Sequence, residues 1–182
     1  LSKGAILADE VGLGKTIEAG IILSEMWAEH KRKILVIVPA SLRNQWNIEL
    51  MEKFYLPSTI LLTDNYSAYK SAGISPLDKG ENIIICSYNF ASKYAHDIAS
   101  ISWDLVVIDE AHKLRNVYRS GAKVSADLKR VLRPYKKVLL TATPLQNNLK
   151  ELYGLISIID GEFFSSVDTF DKQYNAISTR DN

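Results

Sequence analysis

A doubly wound α/β fold, with a mainly parallel sheet and helices on both of its faces, is what this sequence predicts, and three observations lead to it. Short runs rich in Val, Ile and Leu recur along the chain with helix-like stretches between them. The runs are apolar throughout rather than alternating, as strands buried on both faces must be. The segments that carry glycine, paired acids or hydroxyls fall where such runs end, which is where open α/β sheets gather ligands.

Taken in order, strands are predicted at Ala5 to Ala8, Ile34 to Val38, Ile60 to Leu62, Ile83 to Ser87, Leu105 to Asp109 and Lys137 to Thr141. Helices are predicted at Lys15 to Glu29, Leu42 to Phe54, Tyr88 to Ala99, Gly121 to Leu132 and Leu149 to Ile159. Ser41 precedes the second helix and is a candidate cap. Tyr66 to Glu81 is richer in Ser, Gly, Pro and Asp and is read as a surface connection. Phe163 to Tyr174 mixes aromatics with charges and is read as a helix that docks on a continuation of the chain. No internal repeat or low-complexity segment is present.

With 182 residues, 47% apolar and 24% charged, residues 1–182 fit one domain with a substantial core and leave no room for a second. A net charge of +1 excludes a uniformly basic nucleic-acid coat and leaves local contacts along one edge open. The lone cysteine, Cys86, ends the run Ile83-Ile84-Ile85-Cys86 and is read as a buried structural thiol. No disulfide can form within the chain, so a reducing intracellular compartment is expected: cytoplasm or nucleoid in a prokaryote, nucleus in a eukaryote. No run approaches the ~18 apolar residues of a membrane span, so no membrane partner is expected. The chain starts without methionine and almost at once enters its phosphate-loop candidate, and is read as a piece of something longer.

That candidate is Asp9-Glu10-Val11-Gly12-Leu13-Gly14-Lys15-Thr16, after a predicted strand and opening a predicted helix. Gly12 and Gly14 let the backbone amides from Glu10 to Thr16 wrap phosphate oxygens, Lys15 reaches the β and γ phosphates, and the Thr16 hydroxyl can bind magnesium. The general pattern puts a glycine where this chain has Asp9. A second segment, Leu105-Val106-Val107-Ile108-Asp109-Glu110-Ala111-His112, delivers two adjacent carboxylates to a strand tip. Asp109 would hold the magnesium, and Glu110 would orient and deprotonate an attacking water. Alone, such an acidic pair is equally a solvated strand end or a helix N-terminal charge. The third segment, Leu140-Thr141-Ala142-Thr143-Pro144-Leu145-Gln146-Asn147, ends another strand; Thr141 and Thr143 could bond Glu110 or His112 and sense the γ phosphate.

In their order and separations these three segments resemble motifs I, II and III of the Swi/Snf-like ATPases of helicase superfamily two, and the departure at Asp9 is itself typical of that group. Val36 to Trp46 is similar to motif Ia, and Ile85-Cys86-Ser87-Tyr88 takes the place of motif Ic. Val11 and Ile17-Glu18-Ala19-Gly20 look closer to the bacterial and archaeal branch. The resemblance implies a RecA-like, P-loop NTPase lobe that binds ATP and Mg2+ and is the first of two. It implies a translocase on double-stranded DNA that displaces or remodels bound proteins, with Pro39, Ser41, Arg43, Ser87 and Tyr88 as backbone contacts. The family's adenine-contacting glutamine motif and the second lobe with its arginine finger are not in this chain, so the isolated lobe is expected to hydrolyse almost no ATP. Two rivals are an RNA or single-strand helicase of the same superfamily and a catalytically silent scaffold. Against the second, intact Lys15, Thr16, Asp109 and Glu110 have no purpose in a silent lobe.

Other residues receive plainer readings. Lys31-Arg32-Lys33 follows a helix and is read as a solvated cationic turn. Trp46 and Trp103 are read as packing anchors. His30 and His96 lack the partners of a zinc site.

Overall fold

The computed structural model describes residues 3–8, 14–114, 123–144, 149–164 and 168–170. Among these residues one all-parallel, six-stranded sheet is formed by β1 (Gly4–Leu7), β2 (Ile34–Val38), β3 (Ser58–Ile60), β4 (Ile83–Ser87), β5 (Leu105–Ile108) and β6 (Lys137–Leu140), in the order β1-β6-β5-β2-β4-β3. The helices are α1 (Lys15–Ala28), α2 (Arg43–Phe54), α3 (Thr63–Ser71), α4 (Tyr88–Lys93), α5 (Ala95–Ala99), α6 (Lys123–Leu132) and α7 (Leu149–Ile159).

The strand order explains which face each helix covers. From β1 through β2 to β3 the chain steps outward across the sheet, and from β3 through β4 and β5 to β6 it steps back. Crossovers between parallel strands are right-handed, so reversing the direction of travel moves the connecting helices to the other face. Accordingly α1 and α2 place Ala19, Leu23, Trp46 and Leu50 against Ile34, Val36 and Val38. The returning helices place Tyr66, Phe90, Ile98, Leu128 and Leu132 against Leu35 and Ile37. Alternate residues of β2 thus serve opposite cores, as the twofold repeat of a strand requires. All five residues of β2 are fully buried, which is why this strand reads as a continuous apolar run.

Two details join β1 to β6. Gly4 pairs with Lys137, and a Cβ at Gly4 would sit 2.1 Å from the Lys137 carbonyl oxygen, so only glycine allows the two backbones to approach this closely. The Lys137 side chain is wholly buried and its Nζ donates to the carbonyls of Leu132 at 2.7 Å and Tyr135 at 2.6 Å, closing the end of α6. Burial lowers the pKa of that ammonium to about 8.

The structure corrects four local expectations. The third strand is Ser58–Ile60 rather than Ile60 to Leu62. The first half of the expected surface connection is helix α3, with Tyr66 buried; Asn65 Oδ1 accepts the Leu62 N–H at 2.8 Å, and this side-chain cap starts a helix in a polar stretch. The helix expected from Tyr88 to Ala99 is two, broken at Tyr94, whose ring lies 4.6 Å from Tyr66 and 4.7 Å from Phe90 between centroids. Ser41 does not cap α2: it lies inside a short 3-10 turn, Ala40–Leu42, and no side chain caps the helix. Cys86 is a buried free thiol, with its pKa pushed up by burial. The segment from Phe163 to Tyr174 and the start of the helix predicted at Gly121 lie largely outside the described residues. Among the described residues, no helix is long and apolar enough to cross a membrane.

Candidate active site

The motif-bearing strands β1, β6 and β5 are neighbours in the sheet, so their carboxyl ends form one edge. Beyond β1, Glu10, Val11, Gly12 and Leu13 lie outside the described residues. Gly14 is described, with φ of +87°, a left-handed value that glycine adopts without strain. Its carbonyl accepts the N–H groups of Ile17 and Glu18, at 2.7 and 3.0 Å, and so starts α1. Gly14 has no side chain to cap the helix, which leaves the partial positive charge of the first turn for an anion.

Lys15 and Thr16, on that first turn, share a cavity of about 450 Å³ with Asp109, Glu110 and Trp46. Asp109 is 7% exposed, and each of its polar groups is held. Its N–H donates to Ile37 O at 2.9 Å and its Oδ1 accepts the Glu110 N–H at 2.8 Å. Its Oδ2 accepts the Trp46 indole N–H at 2.8 Å, and its carbonyl accepts the hydroxyl of Tyr88. Burial raises the carboxyl's pKa, helped by the charge of Glu110, while the Trp46 and Glu110 donors and the Lys15 charge oppose the shift. A buried carboxylate in this balance is suited to a cation, and the Thr16 hydroxyl in the same cavity supplies a second oxygen. Among the described residues no group of three or more His, Cys, Asp or Glu side chains could hold a metal. A magnesium ion in this cavity would have the Asp109 carboxylate, the Thr16 hydroxyl and the oxygens of a phosphate ligand to take.

Glu110 has φ of +53°, left-handed and non-glycine. Its carbonyl accepts the Lys113 N–H at 3.0 Å, and its Oε2 lies 3.0 Å from His112 Nδ1. At the tip of β6, Thr141 is fully buried; its N–H donates to Leu7 O at 3.0 Å and its Oγ1 accepts the Thr143 N–H at 3.2 Å. The Thr141 backbone therefore ties the β6 tip to the end of β1, while His112 is the residue seen against Glu110.

A second cavity, of about 540 Å³, adjoins this edge. Pro39, Ser41, Ser87 and Tyr88 line it together with Asn89 and Lys113, so four of the five residues predicted to contact a polymer come together. Arg43 is not among the lining residues; its Nε donates to Ala40 O at 3.0 Å. Ser87 Oγ accepts the Phe90 N–H at 3.2 Å and caps α4. Tyr88 is 9% exposed, and its hydroxyl turns inward to Asp109 rather than out to the cavity, so a hydroxyl contact to a phosphate chain is not what this side chain is placed for. Burial, then the charges of Asp109 and Glu110, raises its pKa well above the ordinary tyrosine value.

Sequence reasoning missed one site residue. Trp46 is a core residue as expected, at 1% exposed, yet its indole N–H is what orients Asp109. The signal was available in kind: a buried indole needs an acceptor, and an acidic strand tip nearby is a candidate.

The model of the SNF2-related domain matches residues 1–182. An uncharacterized ATP-dependent helicase, YqhH of Bacillus subtilis, is 41% identical over 173 residues, covering 93% of this chain and 28% of its own. RNA polymerase-associated protein RapA of Yersinia pseudotuberculosis is 34% identical over 170 residues, covering 91% of this chain and 18% of its own. The chain thus spans under a third of these relatives' length. The SWI2/SNF2 ATPase core of Sulfolobus solfataricus, solved in complex with dsDNA, superposes with a TM-score of 0.77 at 23% identity, over 97% of this chain and 35% of that one, and shows that the fold is the RecA-like one. With a match to the family model along its whole length, the chain belongs to the SNF2-related domain family.

Proposed function

We propose that this chain is the ATP-binding lobe of a double-stranded-DNA-dependent ATPase that translocates on duplex and displaces or remodels bound proteins. The observation that carries the reading is the single cavity in which Lys15 and Thr16 meet a buried Asp109 and a strained Glu110. Lys15 would neutralise the β and γ phosphates, with the amides from Glu10 to Thr16 around them. Thr16 and Asp109 would hold Mg2+, which supplies charge stabilisation to the phosphates when bound. Glu110 would orient a water for in-line attack on the γ phosphate and accept its proton. His112, against the Glu110 carboxylate, with Thr141 and Thr143 on the neighbouring strand tip, would couple this step to motion.

The groove along Pro39, Ser41 and Ser87 is our candidate for backbone contacts to DNA, which hydroxyls and helix starts make without reading sequence, and Arg43, bonded to the Ala40 carbonyl, is proposed as a further contact. The duplex in the Sulfolobus complex supports this choice of polymer, and the polymerase association in the name of RapA supports a protein-displacing role. The relatives extend well beyond this lobe, which leaves ample length for a second lobe to complete the site.

The test is ATP hydrolysis by the full-length protein with no polymer, duplex DNA, single-stranded DNA or RNA. Lys15→Ala should abolish nucleotide binding; Glu110→Gln should bind nucleotide and stop turnover. Stimulation by duplex alone supports the translocase. Stimulation mainly by RNA or single strands moves the protein to another helicase branch, and unchanged hydrolysis in either variant refutes the site.

A further inference from the structure

The peptide unit between Asp109 and Glu110 is held at both ends. Its carbonyl accepts the Tyr88 hydroxyl, and its N–H donates to Asp109 Oδ1 at 2.8 Å. The orientation of this unit sets the φ of Glu110, +53°, which a glutamate adopts only where its surroundings impose it. The Asp109 carboxylate that takes the N–H is itself fixed by Trp46 at 2.8 Å. On the carbonyl side, Tyr88 is the partner. If that bond is lost, the unit can rotate, Glu110 can relax to an ordinary backbone conformation, and its carboxylate is redirected.

Tyr88 also belongs to the groove. It is the first residue of α4, whose start is capped by Ser87, and it lines the groove between Ser87 and Asn89. One side chain therefore spans from the groove wall to the Asp109 carbonyl, in the peptide unit that precedes the residue read above as the base. We infer that Tyr88 is a positioning residue that holds Glu110 in its left-handed conformation and links polymer in the groove to turnover in the cavity. A nucleic-acid backbone seated against Ser87 and Asn89 fixes the first turn of α4 and so favours the state in which the Tyr88 bond is made. A ligand shifts such a two-state element by binding one state better. This rests on the reading of Glu110 as the catalytic base.

Tyr88→Phe in the full-length protein keeps the ring and removes only the donor. Duplex affinity without nucleotide, KM for ATP, and kcat with and without saturating duplex are to be measured, alongside a crystal structure of the variant. We expect affinity and KM within about twofold, and kcat at saturating duplex lower by about tenfold or more, the scale on which outer hydrogen-bond partners act. The ratio of stimulated to basal rate should shrink, and Glu110 should leave positive φ. An unchanged kcat and ratio would overturn the inference. So would loss of duplex affinity with unchanged kcat at saturation, which would make Tyr88 a polymer contact. Wild type and Glu110→Gln separate the two readings: if wild type hydrolyses no more ATP than Glu110→Gln, the enzymatic reading fails. The backbone of Glu110 in the variant crystal then decides the positioning role by itself, a φ retained near +53° overturning it.

Discussion

Trp46→Phe tests how the Asp109 carboxylate is kept in place. The substitution retains an aromatic ring on α2 and deletes the N–H that meets Asp109 Oδ2 at 2.8 Å. A hydrogen bond to a charged group contributes about 1.5–3 kcal/mol, more than a neutral one, and here the abandoned oxygen sits in a residue only 7% exposed. The smaller ring adds a packing loss of about 1 kcal/mol. Urea unfolding followed by far-ultraviolet circular dichroism should therefore show Trp46→Phe less stable by about 2.5–4 kcal/mol, the sum of the two. In an Asp109→Leu background, which has no acceptor, only the packing loss should remain, so the double-mutant coupling should be about 1.5–3 kcal/mol. The pH dependence has a definite sign. Because burial raises the Asp109 pKa above its ordinary 3.8, the folded state holds that proton more tightly than the unfolded chain, and Asp109 lowers stability as pH rises through that window. Removing a donor that opposes the shift deepens the fall, so the penalty of Trp46→Phe is largest at neutral pH and shrinks toward acid. A coupling below about 0.5 kcal/mol at neutral pH would refute the assignment of Trp46 to the carboxylate.

Two further outcomes follow from the β1–β6 junction. Lys137 has a folded pKa near 8, below the ordinary 10.5, so its burial costs stability while it is charged and that cost is relieved as pH rises from 8 toward 10.5. Wild-type stability should show this upward contribution in urea titrations at stepped pH, and Lys137→Met should lack it; equal pH profiles would refute the burial argument. Gly4→Ala drives a methyl group to 2.1 Å from the Lys137 carbonyl oxygen, and since the obstacle is backbone it should destabilise by about 1–3 kcal/mol or more, measured by thermal unfolding. A variant as stable as wild type would show that β1 lies further from β6.

Much of this architecture could be read from residues because it rests on local pattern. The strands Ile34–Val38 and Ile83–Ser87 and the helix Leu149–Ile159 match their predicted bounds, since runs buried on both faces and a strong apolar stripe leave little ambiguity. The helix around Tyr66 was missed because its polar surface conceals one buried aromatic and a cap from Asn65. The acidic pair and the phosphate-loop lysine were visible as motifs. What holds the acidic pair in place was not, because the Trp46 and Tyr88 bonds to Asp109 cross 63 and 21 residues of sequence, and no local period reports a bond of that span. The inward turn of Tyr88 could not be told from an outward one by residue type alone.

The strand that leads into the candidate phosphate loop has an unusual place in the sheet. Among the described residues, β1 is the first strand in the chain and pairs with β6, the last, through Gly4 and Lys137. A ribosome therefore makes the loop that would grip nucleotide long before the strand that anchors it exists. Closing so long a separation is slow compared with forming local contacts, so the β1–β6 pairing is expected to follow formation of the middle of the sheet. If this lobe binds nucleotide as proposed, binding reports that β6 is in place: in a chain stopped before β6, β1 lacks the strand it pairs with in this sheet.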